Sequence, residues 1–512
     1  MRHNLMALLA ISSIIFTLPI PAPLAQANDG LPQIVSDLAL INAVTWGVAS
    51  STWANFSAMG KEKWLQNQLR PSSAAARLPE AAQSQIDALT LIHKSAFELA
   101  TKFDAQARTA NQITDPEQKA SAQQAFQQAM TDVARQAATR TILRALYAPD
   151  QLRERMTWFW FNHFNVHQYK ANLRVLVGDY EDKAIRSHAL GRFRDLLEAT
   201  LRHPAMLRYL DNTDNSVGHL NENYAREIME LHTMGVGSGY TQKDVEELTR
   251  ILTGVGVDLK AEDLKLKPEL QGQLVRDGLF EFNPGRHDHG DKTFLGHTIK
   301  GRGFAEVEEA LDILCRHPAT ARRVARQLAT YFVADDPAPT LVERMALTFT
   351  RTDGDIASVL DALFHAPEFA KLASGRFKDP VRYVLSGVRL AYDTKVIVNT
   401  VPIQNWFNRL AEGLYNHQTP DGYSMISTAW NGPGQMVTRF EIARQIGSSS
   451  AGLFKPASPD AMELPAFPVL QNELYFSSLR RVLGNATQAA LDKAISPQDW
   501  NTLFLSSPEF MQ

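Results

Sequence analysis

Proline at helix junctions is the feature that most limits what this chain can fold into. Leu201-Arg-His-Pro204, Leu314-Cys-Arg-His-Pro318, Leu363-Phe-His-Ala-Pro367 and Leu505-Ser-Ser-Pro508 each close one apolar helical pattern and open another. Proline suits the first helical position, where its missing N–H is no loss, and is excluded from helix interiors. A chain written this way folds as successive packed helical hairpins. Helical periodicity also covers Ser36–Gly47, Lys61–Leu69, Ala81–Arg108, Pro116–Leu146, Arg153–Phe164, Ile185–Leu201, Glu222–Met234 and Gln242–Leu252. Thr241 and Asp244 form a capping box for the last of these, and Gly254 ends it. Phe280-Glu-Phe282 and Thr293-Phe-Leu295 instead alternate like strands around a polar, Gly-rich loop. The expected fold is mainly α, a large multi-helix globular body with a small β-hairpin excursion near residues 278–300.

The first residues read as an export signal. Arg2 and His3 precede an uncharged apolar run from Leu5 to Ile20, prolines follow, and Ala25-Gln-Ala27 carries the small residues of a cleavage site. The run is too short and too proline-interrupted for a membrane span, and no later stretch reaches the ~18 apolar residues one needs. No cysteine follows the cleavage site to carry a lipid. We therefore expect a signal peptide over 1–27, an N-terminal helical region over 28–150, a motif-bearing helical region with the hairpin over 151–300 and a C-terminal helical region over 301–512. The expected address is the periplasm or the medium, without stable membrane insertion. With 52 Lys plus Arg against 55 Asp plus Glu, the chain lacks the basic excess of a nucleic-acid partner. The single cysteine, Cys315, lies in an apolar helical pattern and reads as buried core.

Four polar clusters can carry chemistry. His163 and His167 are four residues apart in an aromatic segment, and a continuing helix sets both on one face, a spacing that suits metal ligands. Asn162 lies beside them. In the second cluster Asn223, Glu227 and Glu230 share a helical face, Arg226 can pair with Glu230, and His232 follows. Ionisable groups buried at that density must pair, bind a cation or handle protons. A helix-locking ion-pair network is the competing account. The third cluster, Arg286-His-Asp-His-Gly-Asp-Lys292, places His287, Asp288 and Lys292 in the Gly-rich loop. The fourth is the turn at Pro420-Asp-Gly422, with Tyr423, Trp430 and Arg439 as pocket-lining candidates. No Gly-x-Ser-x-Gly elbow, P-loop, dinucleotide fingerprint or His-Glu-x-x-His is present.

In this order the clusters resemble the large bacterial exported family catalogued as unknown-function family eighteen hundred. The likeness starts at Leu40-Ile-Asn-Ala-Val-Thr-Trp-Gly47 and Trp64-Leu-Gln-Asn-Gln-Leu69 and continues through Met156-Thr-Trp-Phe-Trp-Phe-Asn-His-Phe164. It is closest at Asn221-Glu-Asn-Tyr-Ala-Arg-Glu-Ile-Met-Glu-Leu-His-Thr-Met-Gly-Val236, and Pro420-Asp-Gly-Tyr423 fits as well. The resemblance implies exported helical proteins without an assigned reaction. It also implies gene neighbours from a second exported family that looks like sulfatases and alkaline phosphatases. Phe161 stands where many relatives have another histidine, and Asn416-His-Gln418 replaces Pro-rich sequence.

Two function classes follow. One is an envelope hydrolase or transferase acting on a glycan or ester. Its catalytic residues would be Glu227, Glu230, Arg226, His287 and Asp288. Asn162, Asn223, Lys292, Tyr423, Trp430 and Arg439 would bind substrate, and His163 and His232 a divalent metal ion. The other is a non-catalytic partner that matures or docks a sulfatase- or phosphatase-like exported protein. In both, Asn162, His163, Arg226, Glu227, Glu230, His232, His287 and Asp288 are expected to meet in one cleft. The export reading predicts a mature chain beginning at Asn28, checked by N-terminal sequencing of protein from fractionated cells; cytoplasmic protein still starting at Met1 would refute it.

Overall fold

Caps and breakers divide the chain much as the junctions predict. The computed structural model describes residues 31–512 apart from 73–76, 171, 260–263, 371–375 and 457–461. The signal segment and the cut after Ala27 lie outside the described residues. Helices α1 (Leu31–Val44), α2 (Ser50–Met59) and α3 (Lys61–Leu69) come first. Ala81–Arg108 is not one helix. It splits into a helix at Glu80–Asp87, a 3-10 turn at Thr90–His93 and α4 (Ala96–Gln112). Ser95 causes the restart, since its hydroxyl accepts the Glu98 amide while the Glu98 carboxylate accepts the Ser95 amide. Asp115 caps α5 (Pro116–Tyr147), with proline at its first position.

Next come α6 (Gln151–His163) and α7 (Phe193–Arg202). The expected helix from Ile185 is replaced by a π-helical turn at Tyr180–Ile185 and a 3-10 turn before α7. The short α8 (Asn223–Glu227) widens into a π-helical turn at Ile228–His232, and α9 (Gln242–Ile251) follows with the Thr241–Asp244 capping box in place. The β excursion is larger than one hairpin. β1 (Val255–Val257), β2 (Val275–Asp277) and β3 (Phe280–Phe282) form an antiparallel sheet with β3 central. β4 (Lys292–Phe294) and β5 (His297–Ile299) form a separate hairpin. The two strand-like runs therefore pair with nearby segments and not with each other. At Gly254 φ is +82°, and an added Cβ would lie 2.5 Å from the Asn283 carbonyl oxygen, so only glycine lets the turn into β1 pass so close.

The rest is helical: α10 (Phe304–Arg316), α11 (Pro318–Phe332), α12 (Pro339–Arg351), α13 (Ile356–Phe364), α14 (Pro380–Tyr392), α15 (Val401–Arg409), α16 (Pro433–Gly447) and α17 (Pro497–Leu505). The His-Pro junctions have a specific chemistry. His203 Nδ1 accepts the Ala205 amide at 3.1 Å, and His317 Nδ1 accepts the Ala319 amide at 3.2 Å. Each imidazole thus takes the capping role usually filled by Ser or Asp. Pro508 opens only a turn. Buried apolar residues form one connected core from Leu38 to Met511, which crosses both expected regional boundaries.

Three buried arginines fasten the ends of this body. Arg155 Nη1 donates to the Asn42 and Thr45 carbonyls, and Arg382 Nη2 also reaches Asn42. Arg389 donates to the carbonyls of Gly47 and of Leu146, at the end of α5. Cys315, on α10, is buried, and burial pushes its thiol far above the ordinary range. We expect it to resist thiol reagents until the chain unfolds. Cys315→Ala should cost about 1 kcal/mol of stability, the usual scale for a small core change. Rapid labelling of the folded protein, followed by mass spectrometry, would contradict this.

Candidate functional site

The second sequence cluster forms a half-buried acidic patch on α8 and its π turn. Arg226 Nη2 donates to Glu222 at 2.9 Å and to the Gln242 side chain at 2.8 Å, and its Nη1 lies 3.5 Å from Glu230. Gln242 in turn donates to Glu222, which ties α8 to the start of α9. Glu227 differs from its neighbours, because its half-buried carboxylate makes no hydrogen bond among the described residues. Burial pushes its carboxyl above the ordinary range, and the charges of Glu230 and Asp421 push the same way against Arg226. Burial and the adjacent Glu230 raise the Tyr240 phenol to about 12. The widened turn matters because π turns inside α-helices recur at functional sites.

Asparagines hold this patch in place. Asn212 Nδ2 donates to the Val255 carbonyl at 2.7 Å and Asn215 Nδ2 to that of Thr249 at 2.9 Å. Asn223 Nδ2 donates to Leu210 at 3.2 Å, so its amide braces the preceding loop and is not offered to a substrate. Asn162 is committed in the same way, donating to the Tyr423 carbonyl at 2.9 Å and accepting the Tyr423 amide at 2.6 Å. That clamp requires Gly422, where φ is +73° and a Cβ would lie 2.1 Å from the Asn162 carbonyl oxygen. It sets the turn containing Asp421 beside Glu227. Tyr423 stacks on Trp158 with ring centroids 6.4 Å apart, and Trp430 Nε1 donates to the Ser424 carbonyl. Arg439 is fully buried, over the rings of Phe377 and Tyr383, and donates to the Lys378 carbonyl. It belongs to the C-terminal packing and not to the acidic patch.

The structure parts His163 from His167 and seats His163 beside His232 in an aromatic interior. Helix α6 ends at His163, with Phe164 already out of helical geometry, so His167 does not share its face. His163 Nε2 is 3.0 Å from the His232 carbonyl, and the two rings lie 6.1 Å apart among Phe159, Phe164 and Phe193. The charged group near both is the Arg323 guanidinium, which repels a cation. Among the described residues no three His, Cys, Asp or Glu side chains converge as metal ligands. Phe161 packs edge-on against Tyr180 and Tyr415 as core.

The third cluster is a separate buried network. His287 Nε2 lies 3.0 Å from Glu306, and its Nδ1 is 2.8 Å from the Thr253 carbonyl. Lys292 reaches the same Glu306 and the Asp288 carbonyl, while Asp288 pairs with Arg250 at 2.8 Å. Burial pushes the Glu306 carboxyl up, but the bonds from His287 and Lys292 outweigh it and the net shift is downward. Gln242 at the acidic patch and Arg250 at this network sit eight residues apart on α9, about 12 Å along the helix. The expected single cleft is thus two sites, one open and acidic, the other buried and fully paired. Glu306, which anchors the second, was not picked out from the sequence. Its signal is weak, a glutamate three residues after Gly303 in the first turn of α10, with Glu308 and Glu309 close behind.

This is a mainly α-helical scaffold in which the asparagine-rich motifs brace one acidic surface. The chain belongs to the family described as protein of unknown function DUF1800, whose profile matches residues 39–512. No curated protein and no solved structure matches it.

Burial pushes His163 down to about 3 and His232 well below its ordinary range. In the unfolded chain both titrate near 6.5. Below that value the unfolded state binds more protons, so stability falls as pH drops from about 6.5 toward 3. At pH 5 the loss from His163 alone is about 2 kcal/mol. His163→Asn, which keeps a donor for the His232 carbonyl, should flatten the pH dependence of urea unfolding between pH 7 and 5. An unchanged slope would refute the assignment.

Proposed function

We propose that the protein is an envelope hydrolase that cleaves a glycan by acid–base catalysis at the Glu227 patch. The observation that carries this reading is the unbonded, half-buried Glu227 carboxyl, raised by burial and flanked by Glu230 and Asp421. Raising a carboxyl above its ordinary range suits it to give a proton to a leaving oxygen, and a neighbouring carboxylate serves the water or the sugar carbon. Glu230, held by Arg226, supplies that second group. Tyr240 and Gln242 stand beside the pair as hydrogen-bonding groups for a polar substrate. Export by the Arg2–Ala27 segment would bring the protein to the compartment that holds the cell's structural glycans.

A second reading has its own support. Large apolar side chains are exposed along the C-terminal region, including Val437, Phe440, Phe467, Val469 and Phe476. Exposed apolar groups of this size favour a protein contact. They suit a docking or maturation partner of a sulfatase- or phosphatase-like exported protein.

The test uses purified mature protein with peptidoglycan fragments and a panel of chromogenic glycosides and esters. Glu227→Gln keeps shape but removes the proton, so turnover per folded molecule should fall at least about 100-fold with the melting temperature unchanged. Turnover that follows only the folded fraction would assign Glu227 to structure and leave the docking reading.

A further inference from the structure

A cavity of about 160 Å³ opens between α1, α11, α14 and the C-terminal segments. Its wall contains Arg155, Lys378 and Arg382, which are only 1%, 4% and 7% exposed. None of the three has a carboxylate within ion-pair distance among the described residues. Their hydrogen bonds go to backbone carbonyls: Asn42 and Thr45 for Arg155, Arg376 and Asn42 for Arg382, Phe510 for Lys378. The Nε atoms of Arg155 and Arg382 are buried and have no hydrogen-bond partner among the described residues.

The nearby acids are already engaged. Asp379 accepts the Arg382 backbone amide at 2.7 Å. Glu412 accepts the Val381 amide at 2.9 Å, and burial and Asp379 push its carboxyl well above its ordinary range. Glu509, also on the wall, accepts the Gly484 amide and the Thr487 hydroxyl. Rings offset part of the charge, with Arg155 stacked over Trp46, Tyr331 and Phe332. Carbonyl dipoles and aromatic faces do not neutralise three close cations, and a buried charge without a counter-ion is costly. Burial, with mutual repulsion behind it, lowers Lys378 and brings Arg382 down to about 9.

The same wall carries an apolar stretch built from Leu38, Leu390, Leu479, Val482, Leu483 and Phe504. We propose that this cavity binds an amphiphilic anion, its carboxylate or phosphate head placed among Arg155, Lys378 and Arg382 and its short apolar tail along the leucine-rich wall. An anionic head supplies the missing counter-charge and an acceptor for the orphaned Nε groups. The tail replaces water against apolar side chains. The site is independent of the Glu227 patch and of any reaction there.

The test is isothermal titration of the purified full-length mature protein with octanoate and octyl phosphate, with octanol and inorganic phosphate as comparators. At least one of the amphiphilic anions should bind ten-fold or more tighter than octanol and than inorganic phosphate, and should raise the melting temperature. Which of the two binds tighter distinguishes a fatty-acid source from a phosphorylated one. Arg382→Gln should abolish that binding, while the exposed Arg481→Gln leaves it unchanged. If Arg382→Gln fails to fold, Leu483→Glu tests the same cavity by placing a negative charge on its wall, and should also abolish binding. Equal affinity for octanol, tighter binding of inorganic phosphate alone, no binding of either amphiphile at millimolar concentration, or binding that survives these wall substitutions would each overturn the proposal.

Discussion

Buried arginines that donate to the ends of helices are the interaction on which this architecture rests. The last carbonyls of a helix have no partner within it, and they carry the negative end of its dipole. Arg155 and Arg382 both serve the end of α1, and Arg389 joins that end to the last turn of α5. These arginines lie on α6 and α14, so the N-terminal, central and C-terminal thirds of the chain meet at one point. A guanidinium with five donors suits this role better than an ammonium. The arrangement satisfies carbonyls without carboxylates. It leaves positive charge inside the molecule, and a cavity formed beside it inherits that charge.

The central region follows a different rule. Its polar residues meet as amides and carbonyls, and the asparagines act as braces between backbone segments. Asn162 holds the Tyr423 turn by both ends of its amide, and Asn212 and Asn215 hold the loop before α8 against α9 and β1. The His287–Glu306–Lys292 network does the same for the β excursion, with each charged group paired. Within this framework Glu227 is the exception, a half-buried carboxyl without a hydrogen bond among the described residues. A rigid surround that leaves one acid unpaired is what proton transfer requires, since the acid is positioned without being neutralised.

The histidines serve several different structural roles. In the sequence His163 and His232 invite a metal reading and His287 a catalytic one. His203 and His317 cap helices that start with proline, His287 closes an ion network, and His163 and His232 occupy an aromatic interior. The spacing of His163 and His167 suggested a shared helical face, but α6 stops at His163, and a four-residue interval has that meaning only while the helix continues.

The sequence by itself determined the helical class, the junctions at Pro204 and Pro318, the capping box at Thr241 and a buried Cys315. All of these depend on residues close together in the chain, through proline sterics, cap hydrogen bonds and apolar period. It also marked α8 as unusual from the density of charge around Glu227. Only the tertiary structure decided which distant groups meet. It paired Glu306 with His287 and Lys292, brought Asp421 beside Glu227, separated the Asp288 cluster from the acidic patch along α9, and gathered Arg155, Lys378 and Arg382 around one cavity. Those pairings join residues separated by tens to hundreds of positions. They are set by how helices pack and by where buried charge finds a partner, and local sequence carries no record of either.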